Sequence, residues 1–327
     1  MSYTVTQESF DRLTSYWNDS SYRLKWGSIF VLPSWLEVWW QIFQPGTELY
    51  LIAVREQSDI IGIAPLQVRE KEAFFVGSPD VCDYQDFIVV PGREKDFFNV
   101  LLNDLEQRGI SQLSLESVRP DSTVMTSLVD VARNQGFEVL CREGEVSVEM
   151  DLPPTWEEYL EGLDKKQRHE VRRKLRRLLG AGDVVYRCQE VSPQQVDGFM
   201  DIFLRLFTLS REEKAEFMTA RMESFFRSLA KAMAEIKLLR FGILEVDKMT
   251  TAMIMGFDYN ETMYLYNSGY DPHYDSLSMG LLSKALCIRE SIQRGKKKWD
   301  FLKGAEKYKY QLGGKEIPLY NCQITIK

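Results

Sequence analysis

The chain reads as an α/β (α+β) protein made of two copies of one unit, each a mixed, mostly antiparallel sheet flanked by helices. Three observations lead there. Residues 1–152 give helices, three antiparallel strands, a helix, a strand and closing strands, and residues 153–327 give the same order again. Consecutive strands are joined by short turns, so they are antiparallel neighbours, which excludes a doubly wound parallel sheet. The charge also divides: residues 1–150 hold 12 Lys/Arg against 23 Asp/Glu, and residues 151–327 hold 29 against 25. With 327 residues, 44% apolar content and only 20 Gly and 11 Pro, the composition fits two globular domains and excludes a disordered or fibrous chain. An anionic ligand is expected on the second, mildly basic half. No literal sequence repeat accompanies the repeated order.

In chain order, SFDRLTSYW opens as a helix. Pro33-Ser34-Trp35 begins a second, whose Trp35, Leu36, Val38, Trp39, Trp40, Ile42 and Phe43 leave little polar face, so burial is expected. ELYLIAVRE and DIIGIAPLQVRE meet at Gln57-Ser58 as a hairpin. FFVGS and DFIVV follow, then a helix over 97–107, a strand over 112–116, a helix over 122–134 and strands over 137–141 and 145–150. Pro153-Pro154 continues neither helix nor strand, and Thr155 with Glu158 has the spacing of a capping box. The second copy runs through a basic helix (165–178), a strand (184–189) and two helices (193–209 and 214–233). LLRFGILEV, TTAMIMGFDY and TMYLYNS form a meander, followed by a helix over 278–294, a strand over 299–302, a loop rich in Gly, Lys and Tyr, and the closing strand IPLYNCQITI.

The five cysteines are odd in number, widely spaced and form no C-x-x-C, so neither a disulfide framework nor a structural zinc is expected. With only His169 and His273, a histidine-rich metal site and a His-centred triad lack parts. Neither G-x-x-x-x-G-K-[ST] nor G-x-G-x-x-G occurs. The N-terminus has no signal-peptide pattern and no apolar stretch reaches spanning length, so a cytoplasmic location is expected.

Three segments carry chemistry. Residues 165–177 place eight Lys/Arg in thirteen positions, with Leu163, Val171, Leu175, Leu178 and Leu179 as a docking stripe. The basic face suits open solvent, an anion site for a phosphorylated ligand, or nucleic acid. Tyr264-Leu-Tyr266-Asn267-Ser268-Gly-Tyr270 leads through Ser276 and Ser278-Met279-Gly280 into a long helix. Such a turn either caps the helix or offers its N–H groups to phosphate. Trp299-Asp300-Phe301 runs into a loop with Glu306, Tyr308 and Lys309, side chains suited to proton transfer or charge stabilisation, or to an ordinary ion-paired loop.

The runs TWEEYLEGLDKKQRHEVRRKLRRL, YLYNSGYDPHYDSLSMGLL and WDFLKGAEKYKYQLG resemble the CelD/BcsL-type acetyltransferases, a branch of the GNAT superfamily related to the Fem-type peptidoglycan aminoacyltransferases. FVLPSWLEVWW, GIAPLQV and GSPDVCDYQDFIV extend the resemblance over nearly the whole chain. It implies tandem GNAT-like domains, 1–152 degenerate and on the acceptor side, and 153–327 holding acyl-CoA, typically acetyl-CoA, as donor, with no metal. Tyr264, Tyr266, Asn267, Ser268, Ser276, Ser278, Met279 and Gly280 would then bind the donor, although Ser276-Leu-Ser-Met-Gly280 departs from the usual Q/R-x-x-G-x-G/A. Asp300, Glu306, Tyr308 and Lys309 are the catalytic candidates; Lys165, Lys166, Arg168, Arg172 and Tyr270 are candidates for binding CoA phosphates or an acidic acceptor.

The implied reaction is direct acyl transfer to an amine or hydroxyl held in a cleft between the halves. Backbone N–H groups near Tyr266–Ser268 would stabilise the oxyanion, and Asp300 or Glu306 would relay the proton. The acceptor would be a small molecule or a glycan or peptide precursor of the cell envelope or a polysaccharide. Fem-type relatives suggest aminoacyl-tRNA as an alternative donor, the one reading in which RNA is a partner; DNA is a partner in none. A non-catalytic binding protein is the third reading.

Overall fold

The computed structural model describes Ser2–Ile326. The first part of the chain contains β1 (Tyr3–Gln7), α1 (Phe10–Asn18), α2 (Pro33–Phe43), β2 (Glu48–Glu56), β3 (Asp59–Arg69), β4 (Glu72–Phe75), β5 (Ile88–Val89), α3 (Glu94–Gln107), β6 (Gln112–Val118), α4 (Val129–Asn134) and β7 (Glu138–Asp151). The remainder contains α5 (Trp156–Gly162), α6 (Lys165–Leu179), β8 (Val184–Glu190), α7 (Val196–Ser210), α8 (Glu212–Phe217), α9 (Ala220–Glu235), β9 (Leu239–Val246), β10 (Met249–Tyr259), β11 (Thr262–Tyr270), α10 (Met279–Gln293), β12 (Lys298–Lys303), α11 (Lys307–Gln311) and β13 (Lys315–Thr325). Two units result: one holds the residues up to Val146 and those from Ile317 onward, the other holds Ser147–Glu316.

In the first unit the strands lie in the order β1-β2-β3-β4-β6-β13, with β5 beside β3. All neighbours are antiparallel except β4 and β6, which run parallel for Glu72↔Gln112 and Ala73↔Leu113 and then part. Helix α3 supplies Phe97, Phe98, Leu101, Leu102 and Leu105, spaced three and four apart, and buries that face against Ile52, Val54, Ala64 and Leu66 of the sheet. Burying a side chain of this size stabilises by about 1.5–3 kcal/mol, so this one face anchors the unit.

In the second unit the order is β8-β9-β10-β11-β12 and then residues 147–151 of β7. Here too only one pair is parallel, β11 with β12, from Thr262↔Lys298 to Tyr264↔Asp300. Phe203, Phe207, Phe225, Phe226 and Phe241 bury α7 and α9 on one side of this sheet. Thr155 caps α5 as expected, its Oγ1 accepting the Glu158 N–H at 3.2 Å, while Glu158 Oε1 takes the Thr155 hydroxyl at 3.0 Å rather than the backbone N–H of a full capping box.

The duplication goes deeper than shared order. In both units the second strand of the first long hairpin carries one extra residue, Ile61 and Thr251. In both, the single parallel pair ends after two or three residues, and the outgoing strand has a left-handed residue beside a register shift, Ser117 (φ 53°) and Leu302 (φ 64°). Bulges that fix strand direction are architectural features, so their recurrence marks one fold used twice. The closing strands are exchanged: β7 follows β6 in the chain but its end pairs with β12, and β13 follows β12 but pairs with β6.

Some expectations change. Strand β1 and helices α8 and α11 are additional, and the strands expected at 137–141 and 145–150 are a single β7. No cysteine pairing was expected, yet Cys141 and Cys322 are joined, with Cα atoms 4.2 Å apart and 181 residues between them in sequence. Sequence spacing says nothing about neighbours across a sheet, which is why the pair was illegible. Leu179, assigned to the docking stripe of α6, is 64% exposed, because the helix ends there at Gly180 while Val171 and Leu178 make the buried contact.

Candidate functional site

The second unit opens where β11 and β12 part. Their pairing stops at Tyr264↔Asp300, so beyond Tyr264 the edge of β11 on that side has no strand beside it among the described residues. On its other side β11 is bulged: Met255 pairs with Asn267 and Gly256 with Leu265, which leaves Tyr266 as the extra residue. A bulge re-aims backbone groups out of the ladder. Sequence had pointed to Tyr266–Ser268 through the strand-to-helix turn; the bulge itself is a feature of strand register.

Tyr264 and Tyr266 are buried, Tyr266 against Phe226 and Phe257, while Asn267, Ser268 and Tyr270 are half-buried toward the end of the strand. The chain then passes through a short 3-10 segment, Pro272–Leu277, into α10. Ser276 offers its carbonyl to the Arg177 guanidinium at 2.9 Å, tying α6 to this turn. Ser278 is the left-handed N-cap (φ 58°) and makes no side-chain cap bond. Met279 is fully buried in the core, and Gly280 lies under the Tyr270 ring, which a Cβ at position 280 would meet at 3.1 Å.

On β12, Asp300 is buried, and its Oδ1 accepts the Leu302 N–H at 2.7 Å, bracing the left-handed residue. The loop after β12 is organised by Lys309, which is 1% exposed. Its ammonium donates to the carbonyls of Leu302 (3.0 Å), Lys303 (2.6 Å) and Gly304 (3.0 Å) and lies 2.9 Å from Glu306 Oε2. Glu306 remains half exposed. Tyr308 lies beneath the ammonium of Lys284, 4.7 Å from its ring centroid.

Lys284, one turn into α10, was missed from sequence, as was Lys214 on α8. Neither sits in a basic run or a recognisable motif, so no local signal marks it. Lys284 is buried and donates to the Gly280 carbonyl at 2.7 Å; burial, then the charges of Lys214 and Arg211, lower its pKa to about 7. Lys214 donates to the Ser268 carbonyl and lies 4.6 Å from the Phe207 ring centroid; burial, then Arg211, lower its pKa to about 8. Lys214 thus meets the end of β11 through Ser268, and Lys284 meets α11 through the Tyr308 ring.

Of the basic-helix residues, Lys165, Lys166 and Arg172 are exposed, and Arg168 reaches the Glu161 carbonyl at 3.3 Å. Lys166 lines a pocket of about 300 Å³ together with Asp164, Glu170, Lys174, Leu281 and Lys307, so α6, the first turn of α10 and α11 share it, and two carboxylates face its three lysines. That volume is at the lower end for small-molecule sites. Gln167 ties α6 to α11 by donating to the Tyr310 carbonyl at 3.0 Å. Among the described residues no group of three or more His, Cys, Asp or Glu is placed to hold a metal ion, and no helix is long and apolar enough to cross a membrane.

Residues 165–310 match the acetyltransferase (GNAT) domain family. Among solved structures, the chain is similar to FemX, with 12% identity, 98% of this chain and 96% of that chain covered, and a TM-score of 0.64. It is also similar to a conserved protein of unknown function from Bacteroides thetaiotaomicron, with 12% identity, 99% of each chain covered and a TM-score of 0.61. A tandem GNAT protein from the clavulanic acid biosynthesis pathway aligns at 12% identity over 99% of this chain and 98% of that one, with a TM-score of 0.49. No curated protein matches the sequence. At such identities the likeness is one of fold, and the fold is GNAT-like.

Proposed function

We propose that the protein is an acyl-CoA-dependent acyltransferase that passes the acyl group directly to an amine or hydroxyl, with the donor on the second unit. The observation that carries this reading is the parting of β11 from β12 beside the bulge at Tyr266, inside the stretch that matches the acetyltransferase family. A thioester laid along β11 beyond its last pair with β12 would meet backbone N–H groups near Tyr266–Ser268, where charge develops on its carbonyl oxygen. The pantetheine arm would lead toward the pocket between α6, α10 and α11, where Lys166, Lys174 and Lys307 outnumber Asp164 and Glu170 and suit its phosphates.

Of the two carboxylates, Glu306 is the better proton relay, because it is half exposed while Asp300 is engaged with the Leu302 N–H. Glu306→Gln should lower kcat by about a hundredfold or more, the usual contribution of a general base, and Asp300→Asn should act less directly through the β12 backbone. Full turnover in both variants would remove carboxylate relay from the mechanism. Thermal-shift titration tests the donor: CoA, acetyl-CoA or a longer acyl-CoA at about a hundred times its Kd should stabilise by about 2.7 kcal/mol. No stabilisation even at millimolar CoA would sink the acyl-CoA reading.

A second donor, aminoacyl-tRNA, is favoured by one observation, the exposed basic face of α6 around Lys165, Lys166 and Arg172. Binding of tRNA across several phosphates should weaken steeply as salt rises, whereas CoA binding should respond much less. An envelope or polysaccharide precursor is the acceptor class we favour, on the family resemblance of the sequence.

A further inference from the structure

We infer that the notch between β4 and β6 in the first unit is a binding site for a protonated amine on a small hydroxylated body, such as an amino sugar. Making this group part of the acceptor rests on the acyltransferase reading; the site itself stands on the geometry of the first unit. β4 and β6 pair at Glu72↔Gln112 and Ala73↔Leu113 and then part, the counterpart of the parting of β11 from β12 in the second unit. A cavity of about 190 Å³ lies in the gap, with Glu72, Phe74 and Gly77 on the β4 side and Ser114, Glu116 and Ser117 on the β6 side. β6 is bulged there. Glu116 and Ser117 stand opposite one residue of β13, Asn321, whose Oδ1 accepts the Ser117 N–H at 3.0 Å while Ser117 holds φ 53°. Such a bulge re-aims side chains out of the ladder, and both bulged residues line the cavity.

The lining is rich in acceptors and poor in donors. Glu72 Oε1 accepts from Ser114 Oγ at 2.5 Å and from Gln112 Nε2 at 2.8 Å, which fixes the carboxylate and leaves Oε2 without a partner. Glu116 is exposed, and neither carboxylate has an ion pair among the described residues. Gln85, which also lines the cavity, is 8% exposed. Its Nε2 donates to the Val76 carbonyl at 2.6 Å, so Oε1 is the free end of the amide, and no group among the described residues donates to it. A Cβ at Gly77 (φ 141°) would stand 2.8 Å from that oxygen, so the glycine leaves it room. The hydroxyl of Ser117, equally buried, is unbonded as well. A buried acceptor without a donor is costly until a ligand supplies one. No Lys, Arg or His lines the cavity; Arg69 covers the Phe74 ring, 5.7 Å from its centroid, without lining it. An anion here would meet two carboxylates and no cation. An ammonium brings three donors and the opposite charge, and hydroxyls beside it suit Ser78 and Ser117, which both give and take hydrogen bonds. The volume is below that of pockets for whole small molecules, so the site takes one ring of a larger ligand.

The test is titration of the whole protein with D-glucosamine at mildly acidic pH, where the amine is protonated, against neutral D-glucose. Binding is followed by the backbone amide NMR signals. Glucosamine should move the signals of residues 72–85 and 114–117 with a Kd of about 1–10 mM, the strength expected of a ligand of this size, and glucose should bind at least about tenfold more weakly. Glu116→Gln should raise the Kd about fivefold or more, and Glu116→Lys should abolish binding. Both variants should melt as the wild type does, because Glu116 is exposed and makes no side-chain bond. Equal affinity for the two sugars, signal changes confined to other residues, or unchanged affinity in Glu116→Lys would overturn the inference. CoA is run in parallel, with binding read by thermal shift. CoA that stabilises while glucosamine leaves these signals unmoved keeps the acyl-CoA reading and overturns the site. Glucosamine that binds as described while CoA fails to stabilise keeps the site and removes acyl-CoA as the donor.

Discussion

Gly269→Ala is expected to cost the second unit about 3 kcal/mol, the upper range for overpacking a close-packed interior. Gly269 lies on β11 where α7 crosses it. A Cβ there would stand 2.3 Å from Phe207 N, 2.4 Å from Leu206 C and 2.6 Å from Phe207 Cα. All three are backbone atoms, so no rotamer change relieves the contact and α7 itself has to move. That motion would disturb Phe203 and Phe207, which pack with Phe241 and Phe226. It would also shift Ser268, the neighbour of Gly269 and the carbonyl partner of Lys214. For a unit of this size the melting point should fall by about 6–12 °C. Gly280→Ala is the contrast: the nearest atoms to its Cβ would be those of the Tyr270 ring, at 3.1 Å, and a ring can turn, so the cost should stay under about 1 kcal/mol. Equal denaturant midpoints for the two variants would show that the approach of α7 to β11 is not close enough to matter.

Lys309→Met should be comparably damaging, by about 3–5 kcal/mol, as expected when one partner of a buried charged network is removed. The variant keeps most of the side-chain volume but leaves the carbonyls of Leu302, Lys303 and Gly304 without the donor that now gathers them. These carbonyls belong to a stretch with two positive φ values, Leu302 at 64° and Gly304 at 105°, a shape that local preference opposes. Freed of Lys309, the loop should relax and carry Glu306 and Tyr308 away from the lysines. Hydrogen exchange over residues 301–312 should speed up, and acyl transfer should fall with it. If exchange there stays at the wild-type rate, Lys309 is not what holds the loop. Lys309→Arg should recover little, because a planar fork cannot meet three carbonyls converging on one point.

Lys309 also shows how much of the site was legible in the sequence. The segment from Asp300 to Lys309 stood out as a group, since acids, bases and phenols crowd a loop that follows a strand. What each member does was not visible. An ammonium consumed by three carbonyls and a half-exposed carboxylate give the same pattern of letters, and only the path of the loop separates them. The turn from Tyr264 to Gly280 was likewise found from its small residues and its place before a long helix. Its lysine partners, 214 and 284, lie on other elements and carry no local signature. The same contrast holds for cysteine: no motif could join positions 141 and 322, while adjacency across the sheet does.

The sequence by itself determined most of the segments that become helix or strand, that one order of elements occurs twice, and that the basic excess belongs to the second copy. Those properties are local or additive: hydrophobic period, turn chemistry, capping residues and a count of charges. Tertiary structure alone decided the exchange of β7 and β13, the early parting of β11 from β12, the bulge at Tyr266 and the burial of Lys284. Each depends on which strand edge or side chain meets another far along the chain. The energy that fixes it, a ladder of hydrogen bonds or the desolvation of a charge, exists only once those distant groups are in contact.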